Sequence, residues 1–421
     1  MNILLIGSGG RESAFAWKLS QSPRLGRLFT TPGNSGTALY GTNVELDMKD
    51  IEGLVKFIVS NDIKMLIVGP ENRLVEGIYD HLTVKIPKLM IIGPSKQGAM
   101  LEGSKKFAKE FMKEFNIPTG QYRAFTKEEM DSANEYIETL PVPIVLKADG
   151  LASGKGVVIA QSREEAKKEI AEMFAGKFGS AGETVVIEEF LEGIEYSVFV
   201  ITDGKKFKML PIAKDYKRIG EGDTGKNTGG MGAVSPVPFI NDDLMINTVL
   251  KIIQPTISGI WQKDIDYKGF LFFGLIKKGN EPYVIEYNCR MGDPESQVVF
   301  FRLKNDLIDL LESIYRGNLE DHAIEHVKEH AVTIVMASGG YPDDYNKGYK
   351  ISNLENITES TIFYAGTKEK EGEMITGGGR VLAVSSLGKT LEEALEKSLK
   401  SCETIDFHDK YYRKDIGLDL M

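Results

Sequence analysis

The chain has 421 residues, too many for one hydrophobic core and enough for roughly two to four domains. Its formal net charge of −10 argues against a protein that coats nucleic acid, so an anionic substrate has to be met by a local cluster of lysine and arginine. Two cysteines, Cys289 and Cys402, are too few for a disulfide framework and fit a reducing cytoplasm. The apolar N-terminus lacks the basic flank of a signal peptide, and no apolar run reaches the ~18 residues of a membrane span.

Asn2–Ile6 predicts a strand, followed by Gly7-Ser8-Gly9-Gly10-Arg11-Glu12 and a helix whose apolar face includes Phe15 and Leu19. Strand, glycine loop and helix start together favour an anion, because free backbone N–H groups and the positive helix end face it. The dinucleotide fingerprint is incomplete. Its third glycine falls at Glu12, and the next strand, Arg27–Thr30, ends in Thr31-Pro32-Gly33-Asn34 with no acid for a ribose hydroxyl. A phosphate monoester is therefore favoured over NAD. Alternation continues through a helix at Ile51–Ser60, a strand at Met65–Val68, a helix near Leu74–His81 and a strand at Leu89–Ile92. That pattern predicts a doubly wound parallel sheet. Gly7–Glu12, Pro32–Asn34 and Gly69–Glu71 all lie at strand ends, the natural walls of one pocket.

A boundary is expected near residue 102, after which Gly103-Ser104-Lys105-Lys106 opens a helix to about Phe115. Strands are expected at Gln121–Phe125 and Ile144–Lys147, with a helix at Lys127–Thr139 between them. Asp149-Gly150-Leu151-Ala152-Ser153-Gly154-Lys155-Gly156 then leads into a strand at Val157–Ala160. This is a glycine-rich hairpin suited to closing over a triphosphate. It is not a Walker A loop, because Lys155 is followed by glycine and no helix follows. The strand Thr184–Glu189 runs into Phe190-Leu191-Glu192-Gly193 and Glu195, where backbone groups suit adenine and acids suit ribose hydroxyls. Asp215–Pro238 reads as a long polar loop. Lys217, Arg218 and Thr228-Gly229-Gly230-Met231-Gly232 within it suit a carboxylate or phosphate.

A helix at Asp242–Trp261 and a hairpin strand at Gly269–Lys277 lead to Pro282–Gln297, the most informative stretch. Tyr283–Tyr287 predicts a strand, on which Glu286 and Asn288 share a face. An acid and an amide two apart are hard oxygen ligands for Mg²⁺, which fills its octahedron with water and substrate phosphates. Arg290 supplies a planar donor fork, and Gly292-Asp293-Pro294-Glu295 a turn with two carboxylates. A helix is expected near Asp306–Tyr315. His322, His326 and His330 sit four apart and read as a solvated linker helix rather than a metal site. Strands at Ala331–Met336, Thr361–Tyr364 and Arg380–Ser385, with a helix at Thr390–Ser401, complete a small α+β domain.

These motifs resemble the glycinamide ribonucleotide synthetase family, the phosphoribosylamine–glycine ligases among the ATP-grasp enzymes. The resemblance runs nearly end to end, and Asn288-Cys289-Arg290-Met291-Gly292-Asp293-Pro294-Glu295 is its most specific element. It implies a Rossmann-like domain at 1–102 that binds phosphoribosylamine, an ATP-grasp domain at 103–325 with a mobile part at about 123–192, and an α+β domain at 326–421. It implies ligation of glycine to 5-phosphoribosylamine with cleavage of ATP, through a glycyl phosphate, in purine synthesis. ATP is then a co-substrate and Mg²⁺ or Mn²⁺ the cofactor. By resemblance, Lys105, Lys147, Gly150, Ser153, Gly154 and Lys155 hold the nucleotide phosphates, and Glu188, Glu189, Leu191 and Glu195 the adenosine. Glu286 and Asn288 match the metal ligands. Asp215, Lys217, Gly229, Gly230, Met231, Arg290 and Asp293 surround glycine and the reacting phosphoryl group, and Gly9, Gly10 and Glu71 face the phosphoribosyl group.

Two positions depart from the family pattern: Tyr216 stands where relatives carry histidine, and Asn72-Arg73 replaces a small or apolar pair. The resemblance further implies a monomeric cytoplasmic enzyme with no nucleic-acid or membrane partner and no fused downstream activity. The alternative is another ATP-grasp carboxylate–amine ligase or carboxylase acting on a different acid. A dehydrogenase is opposed by the incomplete fingerprint, and a non-catalytic sensor by the presence of both lysines and both metal ligands.

Overall fold

The computed structural model describes residues 1–151 and 156–421. Five strands open the chain: β1 (Asn2–Gly7), β2 (Leu28–Pro32), β3 (Thr42–Asn43), β4 (Ile63–Val68) and β5 (Met90–Pro94). They lie side by side in the order β5-β4-β1-β2-β3, and every pairing among them is parallel. Ile3 and Leu5 pack into one core with Phe15 and Leu19, and Leu4 and Ile6 into another with Leu54 and Ile58. The period of two thus sends alternate residues to two helical layers, as in a doubly wound sheet. One expectation changes in detail. The helix expected at Leu74–His81 is two, Glu71–Val75 and Ile78–Lys85, divided at Gly77 with φ +88°.

A second, antiparallel sheet follows: β6 (Tyr122–Thr126), β7 (Ile144–Ala148), β8 (Val157–Ala160) and β9 (Thr184–Glu189), in the order β6-β9-β7-β8. It has its own core, with Phe125, Ile137, Leu146, Ile170 and Ile187 among its members.

β10 (Ile194–Thr202) and β11 (Phe207–Met209) begin the larger part, followed by β12 (Lys214–Asp215), β13 (Arg218–Gly220), β14 (Thr224–Asn227) and β15 (Gly232–Ser235). The expected loop at 215–238 is therefore built of short strands. β13 and β14 form a hairpin, β12 pairs with β15, and β15 pairs with a strand that starts at His330. Polar, glycine-rich sequence without an apolar alternation hid these strands, and only β15 takes a partner from elsewhere in the chain.

β16 (Tyr267–Lys278) joins two sheets. Tyr267 and Lys268 pair with β5, and Gly269 onward pairs with β10. Gly269 makes the switch possible: its φ is +152°, and a Cβ there would lie 2.9 Å from the Gly93 backbone nitrogen. β17 (Glu281–Asn288) returns antiparallel to β16.

The last sheet adds β18 (His330–Ala337), β19 (Thr361–Tyr364) and β22 (Arg380–Gly388), while β20 (Thr367–Lys370) and β21 (Glu373–Thr376) form a separate hairpin. Its order is β12-β15-β18-β22-β19, and the helix Leu391–Thr404 shares its core. The three histidines are not on a helix. His322 follows a short turn at Leu319–Asp321, and His330 begins β18. Helical spacing alone suggested the linker helix, but strand pairing by β18 claims that end of the segment.

Candidate active site

The site grows from β17. Opposite Gly274 and Leu275 the register slips, leaving Ile285 without a partner residue between Glu286 and Val284. The Ile285 carbonyl accepts a hydrogen bond from Lys147 Nζ at 3.1 Å. Lys147 comes from β7 and is 5% exposed, and its Nζ lies 3.0 Å from Glu188 Oε1 on the adjacent β9. The other Glu188 oxygen is 2.7 Å from Lys109 Nζ, which also donates to Thr119 Oγ1 at 2.6 Å. Thr119 in turn donates to the Val284 carbonyl at 2.7 Å. Burial lowers the Lys109 pKa to about 8 against the pull of Glu188. Burial works to raise the Glu188 pKa, and Lys147 and Lys109 outweigh it and hold the carboxyl low.

Lys105 opens the helix Lys105–Glu114, capped by Ser104, whose Oγ accepts from Phe107 N at 3.0 Å and donates to Asp149 Oδ1 at 2.8 Å. Asp149 follows β7 and precedes Gly150, so the start of the glycine-rich turn is tied to that helix. Ser153, Gly154 and Lys155 lie outside the described residues.

Across the cleft, Glu286 stands 3.7 Å from Lys105 Nζ and 3.9 Å from Lys217 Nζ. Burial works to raise its pKa, but Lys105, Lys217, Lys147 and Arg290 together hold it at about 2. Gly274 leaves room for it: a Cβ there would be 3.0 Å from Glu286 Cγ. Asn288 is 6% exposed and its Nδ2 has no hydrogen-bond partner among the described residues. A buried, unengaged amide two residues from an ionised carboxylate suits a hard cation, since the amide can present its oxygen at that point. Among the described residues no group of three His, Cys, Asp or Glu forms a closed metal cage. Two protein oxygens therefore fit Mg²⁺, which keeps positions for water and phosphate. Lys217 is 3.0 Å from Glu195 Oε2. Burial works to lower the Lys217 pKa, yet Glu195, Asp215 and Glu286 raise it well above its ordinary value. Asp215 shifts upward, through burial first and then Glu195 and Glu286, with Lys217 opposing.

Arg290 lies between two acids, with Glu102 Oε1 at 2.8 Å and Glu71 Oε2 at 3.3 Å. Glu102 is 4% exposed, and its other oxygen accepts from Cys289 N at 2.7 Å. Asp293 takes Gln297 Nε2 at 2.8 Å and has Arg380 at 3.3 Å. Arg380 also donates to the carbonyls of Gly229 at 2.7 Å and Asp293 at 2.6 Å.

Several expectations are corrected here. The first glycine loop does not present all its N–H groups to a ligand, because Gly9 N already donates to Glu12 Oε2 at 2.6 Å. A Cβ on Gly10 would lie 2.5 Å from Gln297 Nε2, and one on Gly9 3.1 Å from Asp293 Oδ2. Gly9 and Gly10 thus admit the Asp293–Gln297 turn at close range. The Pro32–Asn34 and Gly69–Glu71 walls do converge on this loop. Asn34 Nδ2 donates to the Ser8 carbonyl at 2.9 Å, and a Cβ on Gly69 would fall 2.0 Å from Glu12 Oε1.

The second glycine loop is also internally satisfied. Gly229 N donates to Tyr341 Oη at 3.1 Å, Gly230 N to Thr228 Oγ1 at 2.9 Å and Met231 N to the Tyr216 carbonyl at 2.7 Å. Met231 is fully buried. Glu188 spends its carboxylate on two lysines, and Glu189 accepts from Gln121 N at 2.8 Å. Leu191 is half-buried and Glu195 exposed, both just beyond β9. Glu102, Lys109 and Arg380 escaped the sequence reading, and Glu12 was placed in the pocket wall without its role in capping the Gly9 N–H. Only Arg380 had a signal, its place directly after Gly377-Gly378-Gly379.

A small antiparallel sheet and a larger one, with Lys147 of the first and Lys105 at a helix start facing the strand that carries the acid–amide pair, define the ATP-grasp class of ATP-dependent enzymes. Models of the phosphoribosylglycinamide synthetase N domain, ATP-grasp (A) domain and C domain match residues 1–102, 103–296 and 331–419. The chain belongs to the phosphoribosylglycinamide synthetase family. It is 45% identical to the phosphoribosylamine–glycine ligase of Haemophilus influenzae, over 99% of this chain and 98% of that one. It is also 45% identical to the same-named ligase of Escherichia coli O157:H7, with 99% and 98% covered. The crystal structure of the Thermotoga maritima phosphoribosylamine–glycine ligase superposes with a TM-score of 0.87 at 35% identity, covering 99% of this chain and 100% of that one. A biotin carboxylase domain of Hydrogenobacter thermophilus shares the fold at 14% identity, with a TM-score of 0.74 and 98% and 92% covered. No helix among the described residues is long and apolar enough to cross a membrane.

Proposed function

We propose that this chain joins the carboxyl group of glycine to the amine of 5-phosphoribosylamine, with ATP converted to ADP and phosphate. A glycine carboxylate oxygen attacks the γ-phosphorus, the bond to the β–γ bridging oxygen breaks, and ADP leaves. The amine of phosphoribosylamine then attacks the acyl carbon of glycyl phosphate. Phosphate departs with the acyl–oxygen bond pair, and the amine proton passes to solvent or a neighbouring base. No enzyme nucleophile is required, so positioning and charge neutralisation carry the rate.

The observation that carries this reading is the convergence of Lys105 and Lys147 with Glu286 and Asn288 across one cleft, in a chain 45% identical over its length to ligases of this name. Lys105 and Lys147 receive the polyphosphate. Glu286 and Asn288 hold Mg²⁺ or Mn²⁺, which when bound neutralises phosphate oxygens. Lys217, kept cationic by its three acids, meets the reacting phosphoryl group or the glycine carboxylate. Arg290 keeps the signature turn fixed through Glu71 and Glu102. Gly150, Ser153, Gly154 and Lys155 complete the phosphate side, and Glu189, Leu191 and Glu195 the adenosine side. The phosphoribosyl group belongs near Gly9, Gly10 and Glu71. On this reading the chain is a monomer of a reducing cytoplasm, and the two buried free thiols, Cys289 and Cys402, fit the reducing compartment.

The test is ADP release with Mg²⁺, ATP and glycine, with and without fresh phosphoribosylamine, and with bicarbonate replacing glycine. Product mass equal to glycinamide ribonucleotide is expected only with both substrates. Turnover with bicarbonate, or with another acid alone, would replace this reading by a carboxylase or a different ligase.

A further inference from the structure

None of residues 217–229 is buried, although this stretch begins at Lys217 and its strands flank the cleft. It has no hydrophobic core of its own. A segment remote in sequence, Tyr411–Asp419, holds residues 218–223 of it, while Lys226 pairs with Asp343 and Gly229 with Tyr341 and Arg380. That segment is itself fixed to the last domain, where Tyr411 and Ala337 exchange backbone hydrogen bonds of 2.8 and 2.9 Å.

Arg413 is the centre of the attachment. It is 1% exposed, an unusual fate for an arginine. Its Nε and one terminal nitrogen each reach an Asp415 oxygen at 2.7 Å, the bidentate arrangement that fixes a guanidinium plane. The remaining nitrogen donates to the Arg218 carbonyl at 3.0 Å and to Asp223 Oδ1 at 2.8 Å. Asp415 also accepts from Gly222 N at 2.8 Å, and Tyr411 Oη donates to the Ile219 carbonyl at 2.7 Å. Beyond its own segment, every hydrogen bond of Arg413 therefore ends on the β13–β14 hairpin.

Tyr216 stands between Asp215 and Lys217 and faces the same cluster. Its ring is 2% exposed, with the Arg413 guanidinium carbon 5.3 Å from the ring centroid and Lys214 Nζ at 3.7 Å. Its hydroxyl donates to Asp419 Oδ1 at 2.5 Å, and Lys214 pairs with the other Asp419 oxygen at 3.1 Å. Side chains alternate along an extended segment, so anchoring Tyr216 on one side sets where Asp215 and Lys217 project on the other.

We propose that the segment Tyr411–Asp419 is a positioning element for Asp215 and Lys217, with Arg413 as its centre and Tyr216 as the side chain through which it acts. Neither residue touches substrate. The claim rests on the ligase reading for its kinetic consequence, and on hydrogen bonding alone for its structural one.

The test uses the full chain and two substitutions, Arg413→Lys and Tyr216→Phe. Arg413→Lys keeps the charge but loses the fork. Tyr216→Phe keeps the buried ring and removes only the hydroxyl, so it folds even where the first variant does not. For Arg413→Lys, kcat falls about tenfold or more and the KM for glycine rises, because small misplacement of a positioned group is costly. The KM for ATP stays within about twofold, since the nucleotide lysines lie on other elements. Tyr216→Phe shows the same split at smaller size. Amide hydrogen exchange quickens in residues 216–231 while β18 and β22 keep wild-type protection.

Unchanged exchange in both variants overturns the proposal. So does quickening that spreads equally through β18 and β22, which marks a general stabilising role, or loop-confined quickening with wild-type kcat and KM. If the wild type forms no ADP with glycine and phosphoribosylamine, the ligase reading fails separately. The exchange comparison then decides the positioning claim by itself, loop-confined quickening upholding it and unchanged protection removing it.

Discussion

The two walls of the cleft handle charge in opposite ways. On the lysine wall, Glu188 is 4% exposed and each of its oxygens has a lysine within 3.0 Å. On the acid wall, Glu286 has its nearest cations at 3.7 and 3.9 Å. On the first wall Lys109 and Lys147 share the single carboxylate of Glu188, which leaves an excess of cation there, and Lys105 adds to it while facing Glu286. The second carries an excess of acid, with Asp215, Glu195, Glu286 and Glu295 around Lys217. An excess of cation on one wall suits polyphosphate, and an excess of acid on the other suits a divalent metal. The difference separates groups that hold the fold from groups kept available for ligands.

Substitutions at the two glutamates break this comparison most sharply. Glu286→Gln should lose ligation by about a thousandfold or more, because the several kcal/mol of charge stabilisation supplied through a bound metal goes with it. The same change should cost less unfolding free energy than at Glu188, about 1–3 kcal/mol, because the cations that hold its carboxyl pKa at about 2 lie no nearer than 3.7 Å among the described residues. Steady-state rates and urea unfolding on one preparation read both. A near-normal rate, or a collapsed fold, would remove Glu286 from the metal site. Glu188→Gln should reverse the pattern in stability, costing about 3–5 kcal/mol because two buried lysines lose their shared counter-charge. A stable Glu188→Gln protein would mean that water already compensates those lysines.

Lys109→Met sharpens the comparison further. It removes one of two cations from Glu188 and the donor to Thr119 Oγ1, for an expected cost of about 2 kcal/mol in urea unfolding. Its effect on the KM for ATP should be smaller than that of Lys147→Met, because Lys109 is 2% exposed and its nitrogen already serves Glu188 and Thr119. Equal effects would make Lys109 a nucleotide ligand.

A separate prediction concerns pH. Glu295 is 3% exposed, and burial together with the charge of Asp215 pushes its pKa up to about 8. Its folded pKa exceeds the unfolded value. Between about pH 4.5 and 8 the folded state therefore holds a proton that the unfolded state has released. Stability contributed by this group falls as pH rises through that window, by up to about 1.4 kcal/mol per pH unit. Glu295→Gln should flatten that slope in thermal melts between pH 5.5 and 8.5. An identical slope in the variant would assign the titration to another carboxylate.

Local sequence carried much of this. The first sheet was legible because apolar runs ending in glycine alternate with helical periods, and the helix Ile51–Ser60 falls where its periodicity places it. β17 was legible from β-branched and aromatic residues, and Glu286 and Asn288 from their spacing on it. What local pattern missed is the company these residues keep. Glu102 meets Arg290, Arg380 meets Asp293, and Lys109 meets Glu188, in each case across a long separation in the chain. Glycine loops were read as open nests, whereas the local side chains of Glu12 and Thr228 and the remote Tyr341 take up their N–H groups.

By itself, then, the sequence determined the strand and helix periods, the ligand types at the cleft and the family to which they belong. These depend on propensity, side-chain chemistry and spacing, which act over a few residues. Only the tertiary structure decided which charges are paired, which N–H groups are already taken and which segment steadies Asp215 and Lys217. Those outcomes depend on burial and on distances of about 3 Å between residues remote in sequence, and burial sets both the cost of an unpaired charge and the strength of a paired one.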